Sequence, residues 1–185
     1  QFQRRLDDDA QRALAADEQM PQIIATGVLD QSPIQVEQIA ASRAEVIRIA
    51  GRKLDAMAAA HPEIARWIDQ NLARQVPRRQ LHLAAVGSLT GEERVASFLV
   101  ELALRIGEAG YEGSRTFDMP LSRTDMAHYL ALNADTLSRI MSRLRHSGVL
   151  GTASRGRAYT PSLTALAALT PLADAIRDLH GDLRA

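Results

Sequence analysis

Residues 121–150, LSRTDMAHYLALNADTLSRIMSRLRHSGVL, decide the fold of this 185-residue chain. Ser122 can cap a short helix from Arg123 to Tyr129, and Asn133 can cap a second helix from Ala134 to His146. The second helix carries one apolar stripe at helical spacing, formed by Leu137, Ile140, Met141 and Leu144. Its other side is polar. Two short helices with a tight turn between them, the second polar outside, indicate a helix-turn-helix that reads a DNA major groove.

Charge and the residues after the second helix support this interpretation. Any pair of amphipathic helices would show a polar outer face, so the pattern alone is not decisive. From Arg115 to Arg157 the chain has seven arginines against three aspartates, although its formal net charge is zero. Such a local excess suits a phosphate backbone. Val149-Leu150, a turn around Gly156 and Ala158-Tyr159-Thr160 then predict a two-stranded wing.

The same residues resemble the DNA-binding core of the Crp/Fnr family of bacterial transcription regulators, most closely on its Fnr/FixK side. The family pattern is Leu-Ser/Thr-Arg-x-Asp/Glu-Ile-Ala-x-Tyr-Leu-Gly-Leu, then x-x-Glu-Thr-Val/Ile-Ser-Arg, then Leu-x-x-Leu-x-x-x-Gly-Leu-Ile. Residues 119–150 follow it. The resemblance extends back through residues 90–99, TGEERVASFL, and more weakly to about Thr26.

The resemblance implies an α+β fold with a C-terminal winged helix-turn-helix domain, a long dimerisation helix and the remnant of an N-terminal cyclic-nucleotide-binding-like β-roll. Period-two alternation at 34–40 and 45–49 predicts two strands of that roll. So few strands precede Arg52 that we expect the roll to be incomplete, with a seam near Met20-Pro21-Gln22. The expected domains are a sensor at 1–56, a dimerisation helix at 57–89, a DNA-binding domain at 90–160 and a tail helix at 161–185.

Helical periodicity begins at Arg52. His61-Pro62 ends a short helix, and Pro62 starts a long one that runs to about Ser88. The resemblance makes this the dimerisation helix, although a helix packed within its own subunit would look similar. Pro77 should kink it. The expected dimer-interface residues are Ile64, Ile68, Leu72, Val76, Leu83 and Val86.

The flanks of the helix-turn-helix also carry local signals. Thr90 and Glu93 predict a capping box for a helix from Gly91 to about Glu108, which should pack on the DNA-binding domain. A strand is possible at 115–117. Beyond the wing, residues 163–183 predict an amphipathic tail helix that is broken near Pro171 and covers its own domain.

The resemblance assigns DNA contacts one position at a time. Asp135 stands where the family has a glutamate that accepts from cytosine N4, Ser138 matches a serine that faces thymine, and Arg139 matches an arginine that reads guanine. Ala134 replaces a further guanine-reading arginine of the Crp branch, which favours a TTGAT-like half-site. The residues expected at phosphates are Ser122, Arg123, Thr124, Thr136, Arg143, Arg145, Arg155 and Arg157.

Other classes of function find little support. The five histidines have no metal-ligand spacing, and there is no Gly-rich phosphate loop or GxSxG motif, so we expect neither an enzyme nor a metal site. His82 could ligate a haem, but a structural role is favoured, and the cofactor is unknown. The chain has no cysteine for an iron–sulfur cluster. No apolar run approaches the ~20 residues that cross a bilayer.

The sequence therefore predicts a homodimeric, cytoplasmic transcription regulator that reads a palindromic operator through the helix at Asn133–His146. Its partners would be double-stranded DNA and RNA polymerase. The resemblance implies an activator, although the residues themselves do not distinguish activation from repression. Two alternatives remain open: a winged-helix repressor of another family, and a ligand- or haem-binding sensor whose winged helix makes protein contacts.

Overall fold

The computed structural model describes residues 49–180 of the chain. The expected seam near Met20-Pro21-Gln22, the strand at 34–40 and all but the last residue of the strand at 45–49 lie outside the described residues, as does the tail beyond His180. The chain divides into two compact units, whose described parts are residues 49–73 and 74–180.

Residues 49–73 form two helical segments. Helix α1 is Gly51–Ala60, and helix α2, Pro62–Ser88, has its first part in this unit. Pro62 is tolerated at the first helical position because the N–H it lacks would have no partner there. Of the expected dimer-interface residues in this unit, Ile64 is buried, whereas Ile68 and Leu72 are partly exposed. Helix α2 continues through Pro77 to Ser88.

Residues 74–180 contain the rest of α2, five further α-helices, a short 3-10 helix at Tyr111–Gly113 and one sheet. The helices are α3 (Gly91–Arg105), α4 (Arg123–Tyr129), α5 (Ala134–His146), α6 (Leu163–Ala167) and α7 (Ala173–His180). The strands are β1 (Glu108–Ala109), β2 (Arg115–Asp118), β3 (Gly151–Ser154) and β4 (Arg157–Thr160), all antiparallel in the order β1-β2-β4-β3. The predicted wing is formed by β3 and β4, and Gly156 in its turn has φ 79°. Its first strand begins at Gly151, so the expected position of that strand at Val149-Leu150 is wrong.

Helix α3 begins with the predicted capping box. The Glu93 carboxylate accepts from the Thr90 N–H at 2.8 Å, and the Thr90 hydroxyl accepts from the Glu93 N–H at 3.4 Å. The helix ends at Arg105, so its expected extension to about Glu108 is wrong. Glu108 instead pairs with Thr116 in the sheet. Gly107 permits this exit from the helix, because a Cβ there would lie 2.2 Å from the carbonyl oxygen of Ala103.

The core of this unit lies beneath the helix-turn-helix. Fully buried side chains from α3, β2, α4, α5 and α6 meet in it, among them Leu99, Phe117, Met126, Leu137, Leu144 and Leu166. The tail forms α6 and α7, which are separated near Pro171 and pack on α3. The Thr170 and Ser97 hydroxyls, both buried and 2.6 Å apart, tie that break to α3. Among residues 49–180, no helix is both long and apolar enough to cross a membrane.

Candidate nucleic-acid interface

Local side-chain caps fix the two helices of the helix-turn-helix. The Ser122 hydroxyl accepts from the Asp125 N–H at 3.1 Å, and the Asn133 side-chain oxygen accepts from the Thr136 N–H at 2.7 Å. Between the helices, Ala131 takes a left-handed conformation with φ 51°. This conformation lets the chain turn between α4 and α5, and α5 begins at Ala134 as the cap predicts.

Helix α5 has one buried and one exposed side. Its apolar stripe, Leu137, Ile140, Met141 and Leu144, is at most 3% exposed. Asp135, Ser138 and Arg139 are all exposed on the opposite side. Because their spacing is three and four residues, they share one face of the helix. The structure thus brings the three expected base-contact residues together in the first two turns, where a helix in the major groove reaches base edges.

A shallow open groove runs between α5 and the start of α3. It is lined by Thr90, Gly91, Glu92, Thr136, Arg139, Ile140 and Arg143. Arg143 lines this groove but already has a partner, because its Nη2 donates to Glu92 Oε2 at 2.9 Å. Both side chains remain well exposed, so this pair contributes only about 0–1 kcal/mol and can be exchanged for a phosphate contact.

The other expected phosphate residues fall into two groups. Thr124, Arg145 and Arg155 are exposed, and Arg123 is exposed beside Arg145. Partial burial and the positive charge of Arg145 lower the pKa of the Arg123 guanidinium, which nevertheless stays protonated at neutral pH. Two neighbouring cations at the surface favour the binding of an anion between them.

Arg157 belongs to the second group, whose side chains are already engaged within the fold. Its guanidinium lies 2.8 Å from Glu108 Oε1 and 3.1 Å from Asp118 Oδ1, across strands β1, β2 and β4. The hydroxyl of Ser122 is likewise engaged, because it donates to Asp125 Oδ2 at 2.6 Å. Sequence reasoning did not foresee these contacts, since Glu108 was expected to lie in a helix.

A contact that the sequence analysis missed is made by Arg94 near the start of α3. Its Nε donates to the Leu89 carbonyl at 2.9 Å, and its Nη1 donates to the Leu130 and Ala131 carbonyls at 3.2 Å each. Leu89 follows α2, whereas Leu130 and Ala131 form the turn of the helix-turn-helix. The only signal in the sequence was the position of Arg94 inside the stretch that carried the family resemblance.

A second group of contacts missed from sequence surrounds Glu101 on α3, here termed the Glu101 cluster: Glu101, Arg78, Arg105 and His180. Glu101 Oε1 lies 3.3 Å from Arg78 Nε, 3.5 Å from Arg105 Nη1 and 3.4 Å from His180 Nε2. Burial alone would raise the pKa of Glu101, but the nearby His180 imidazole and the positive charges of Arg78 and Arg105 outweigh it, and the pKa is lowered.

His82, the histidine singled out from the sequence, packs against an aromatic ring. The His82 ring stacks on Tyr129 with ring centroids 4.2 Å apart, a packing role that joins α2 to the end of α4. Within the described part of the chain, no group of three or more histidine, aspartate or glutamate side chains is placed to hold a metal ion.

The interface region is similar to known regulators. A family model described as a Crp-like helix-turn-helix domain matches residues 93–169. The nitrogen fixation regulation protein FixK of Azorhizobium caulinodans is 32% identical over 127 residues, which are 69% of this chain and 51% of that protein. The transcriptional activator protein FnrA of Stutzerimonas stutzeri is 26% identical over 129 residues, which are 70% of this chain and 52% of that protein. The chain thus spans about half the length of these relatives.

Two solved structures resemble this chain. FixK2 from Bradyrhizobium japonicum has a TM-score of 0.57 and 29% identity, with 64% of this chain and 58% of that chain covered. A CooA mutant from Carboxydothermus hydrogenoformans also has a TM-score of 0.57, over 62% of this chain and 52% of that chain. Its identity is 17%, so this second likeness concerns the fold alone.

Proposed function

The chain belongs to the Crp/Fnr family, on its Fnr/FixK side, and we propose that it is a transcription regulator, not an enzyme, which binds a palindromic operator as a homodimer. The observation that carries the proposal is the exposed face of α5, where Asp135, Ser138 and Arg139 stand together above a fully buried stripe. With the family established, the alternative of a winged-helix repressor from another family is set aside.

Base recognition follows from the chemistry of these three side chains. Arg139 has no ion pair in residues 49–180, so its guanidinium is free to donate two hydrogen bonds to O6 and N7 of a guanine. Ser138 faces a thymine. Asp135 accepts from cytosine N4, although its side chain is one methylene shorter than the glutamate usual in the family. These contacts select a TTGAT-like half-site.

Phosphate contacts hold α5 in register on the duplex. We assign this role first to Arg123 and Arg145, whose charges lie side by side, and to Thr124 and Arg155, which are exposed. Arg143 joins them by exchanging Glu92 for a phosphate, and Thr136 lines the same groove. Ser122 and Arg157 are the weakest members of the proposed set, because Ser122 is hydrogen-bonded to Asp125 and Arg157 is ion-paired with Glu108 and Asp118.

Dimerisation is assigned to α2. In residues 74–88, Val76 is 57% exposed and Leu83 is 69% exposed, and Val86 is partly exposed. Apolar side chains at seven-residue spacing on a long helix favour a partner helix of the same kind. Ile64, Ile68 and Leu72 extend the proposed interface, with Ile64 contributing least because it is already buried in the single chain. A twofold dimer would place two α5 helices about 34 Å apart, one turn of DNA.

The remaining partners follow from this role. RNA polymerase is the proposed protein partner, in keeping with the activator role for which FnrA and several other relatives are named. A regulator of chromosomal genes acts in the cytoplasm. We assign no effector and no cofactor, and the domain organisation is proposed as a sensor, a dimerisation helix, a DNA-binding domain and a tail.

The proposal is tested by the binding of the full chain to a TTGAT-N4-ATCAA duplex in a salt titration without added ligand. Loss of the two Arg139 contacts in a dimer of Arg139→Ala should weaken specific binding at least tenfold, since each contact is worth ~1–3 kcal/mol. Binding to a scrambled duplex should change little.

The matched control is Arg177→Ala, because Arg177 is an exposed arginine on α7 that pairs with Asp174. It should bind like the wild type. Selective binding that survives Arg139→Ala would show that the assignment of base contacts is wrong. A wild-type chain that ignores DNA altogether would favour the alternative in which the winged helix contacts protein.

A further inference from the structure

Arg94 joins two places that sequence separates widely. Its guanidinium donates to the carbonyl of Leu89, which directly follows α2, and to the carbonyls of Leu130 and Ala131 in the helix-turn-helix turn. These last two acceptors lie 36 and 37 residues further along the chain. All of the hydrogen bonds that Arg94 makes through its side chain in residues 49–180 go to main-chain carbonyls.

These carbonyls lie at the C-terminal ends of two helices, α2 and α4. The last carbonyls of a helix lack partners within it and carry its partial negative charge, so one cation placed against both ends is favourable. A planar guanidinium can donate along several directions at once from a fixed fork, which a lysine ammonium cannot reproduce. The contact therefore fixes an orientation as well as a distance.

We propose that Arg94 is a positioning residue that sets the orientation of the helix-turn-helix against the end of α2, and thereby the spacing of half-sites that the dimer accepts. Arg94 touches the turn rather than DNA, so it acts through α5. The inference rests on the proposed function, because half-site spacing has meaning only for a dimer on a palindrome.

Other contacts keep the domain folded when Arg94 is replaced. The second part of α2 is also joined to α3 by the Arg78–Glu101 ion pair and to α4 by the stacking of His82 on Tyr129. Ala85 of α2 is buried as well. Loss of the Arg94 contacts should thus loosen the turn without unfolding the domain.

The test compares Arg94→Met and Arg94→Lys with the wild-type full chain on four duplexes. These are the TTGAT-N4-ATCAA palindrome, versions with the spacer one base pair shorter and one longer, and a single half-site. We expect Arg94→Met to bind the half-site within about threefold of wild type but the palindrome roughly tenfold more weakly, because a loosened turn no longer presents both α5 helices in register. Its preference among spacers should flatten. The affinity of Arg94→Lys for the palindrome should fall between those of the wild type and Arg94→Met.

Arg177→Met and Arg177→Lys are the matched controls and should leave the spacer preference unchanged. Circular dichroism at the assay temperature establishes that each variant is folded; if Arg94→Met is not, Arg94→Lys carries the comparison. Equal weakening on palindrome and half-site, or a spacer preference like that of the wild type, overturns the role of Arg94 while leaving the proposed function intact. A wild-type chain with no preference for any palindrome overturns both.

Discussion

The arginines compared in residues 74–180 form two groups, one with acceptors within the fold and one exposed without an ion pair. Arg78, Arg105 and Arg157 lie against carboxylates, and Arg94 lies against three carbonyls. Arg139, Arg145 and Arg155 are exposed and have no ion pair within the described residues. The first group holds elements of the fold together, and the second supplies charge to the surface. An arginine's role here is decided by its neighbours in space.

The excess of positive charge in the helix-turn-helix region is smaller in the fold than in the sequence. Seven arginines face three aspartates between Arg115 and Arg157, but Glu92 and Glu108 lie outside that window and pair with Arg143 and Arg157. The positive surface is thus smaller and more local than the count indicates. It is centred on the exposed side of α5 and the neighbouring start of α4, where Arg123 and Arg145 lie together.

The largest effect on stability is expected at Glu101, because two arginines and a histidine face its carboxylate. Glu101→Gln removes the charge that faces Arg78, Arg105 and His180 in a largely buried place, where its partners are left uncompensated. We expect the free energy of unfolding at pH 7 to fall by about 2–4 kcal/mol, measured by urea denaturation. Glu108→Gln is the control. Its carboxylate pairs with Arg157 but is exposed, so its loss should cost less than about 1 kcal/mol.

The same variant should change the dependence of stability on pH. The pKa of Glu101 is lowered in the folded chain, so its contribution is present above its ordinary value of 4.5 and is lost as pH falls below that value. Wild type should therefore lose stability in this acid range more steeply than Glu101→Gln. Parallel pH profiles for the two proteins would show that folding does not shift the pKa of Glu101.

The helix-turn-helix was predictable because its signals are local. Ser122 and Asn133 cap helices within three residues of themselves, and the apolar stripe of α5 repeats at helical spacing. Strand β1 was not predictable, since Glu108 and Ala109 are too short a segment to show a period. The contacts of Arg94 and of Arg157 could not be read either, because their partners are distant in the sequence and meet only through the fold.

The next largest effect concerns DNA binding, and it compares an exposed arginine with an arginine that is ion-paired within the fold. Arg145→Gln should remove one phosphate contact per subunit and weaken binding to all sequences alike, with the slope of log K against log salt shallower by about 2 for a dimer. Arg157→Gln should change that slope much less, because its guanidinium is held by Glu108 and Asp118. Equal slopes for both variants would mean that partners within the fold do not decide which arginines reach phosphate.

The smallest effect concerns the turn that Arg94 holds. Ala131 has φ 51°, a conformation that costs a residue with a Cβ about 1–2 kcal/mol relative to glycine. Because glycine also has more freedom in the unfolded chain, Ala131→Gly should stabilise the domain by a net ~0.5–1 kcal/mol in urea denaturation. Ala175→Gly, an exposed site within α7, should instead destabilise it by up to about 1 kcal/mol.

Combining Arg94→Met with Ala131→Gly shows whether the Arg94 hydrogen bonds offset the backbone strain at Ala131. Arg94 donates to the carbonyl of Ala131, so in the wild type part of its contribution goes to holding the left-handed conformation. If so, Arg94→Met should cost less in the Ala131→Gly background than alone, by a coupling of about 0.5 kcal/mol or more, as expected for residues in contact. Strict additivity of the two free-energy changes would mean that Arg94 orients the turn without offsetting the strain at Ala131. The left-handed conformation would then be stabilised by the packing of the turn on α3.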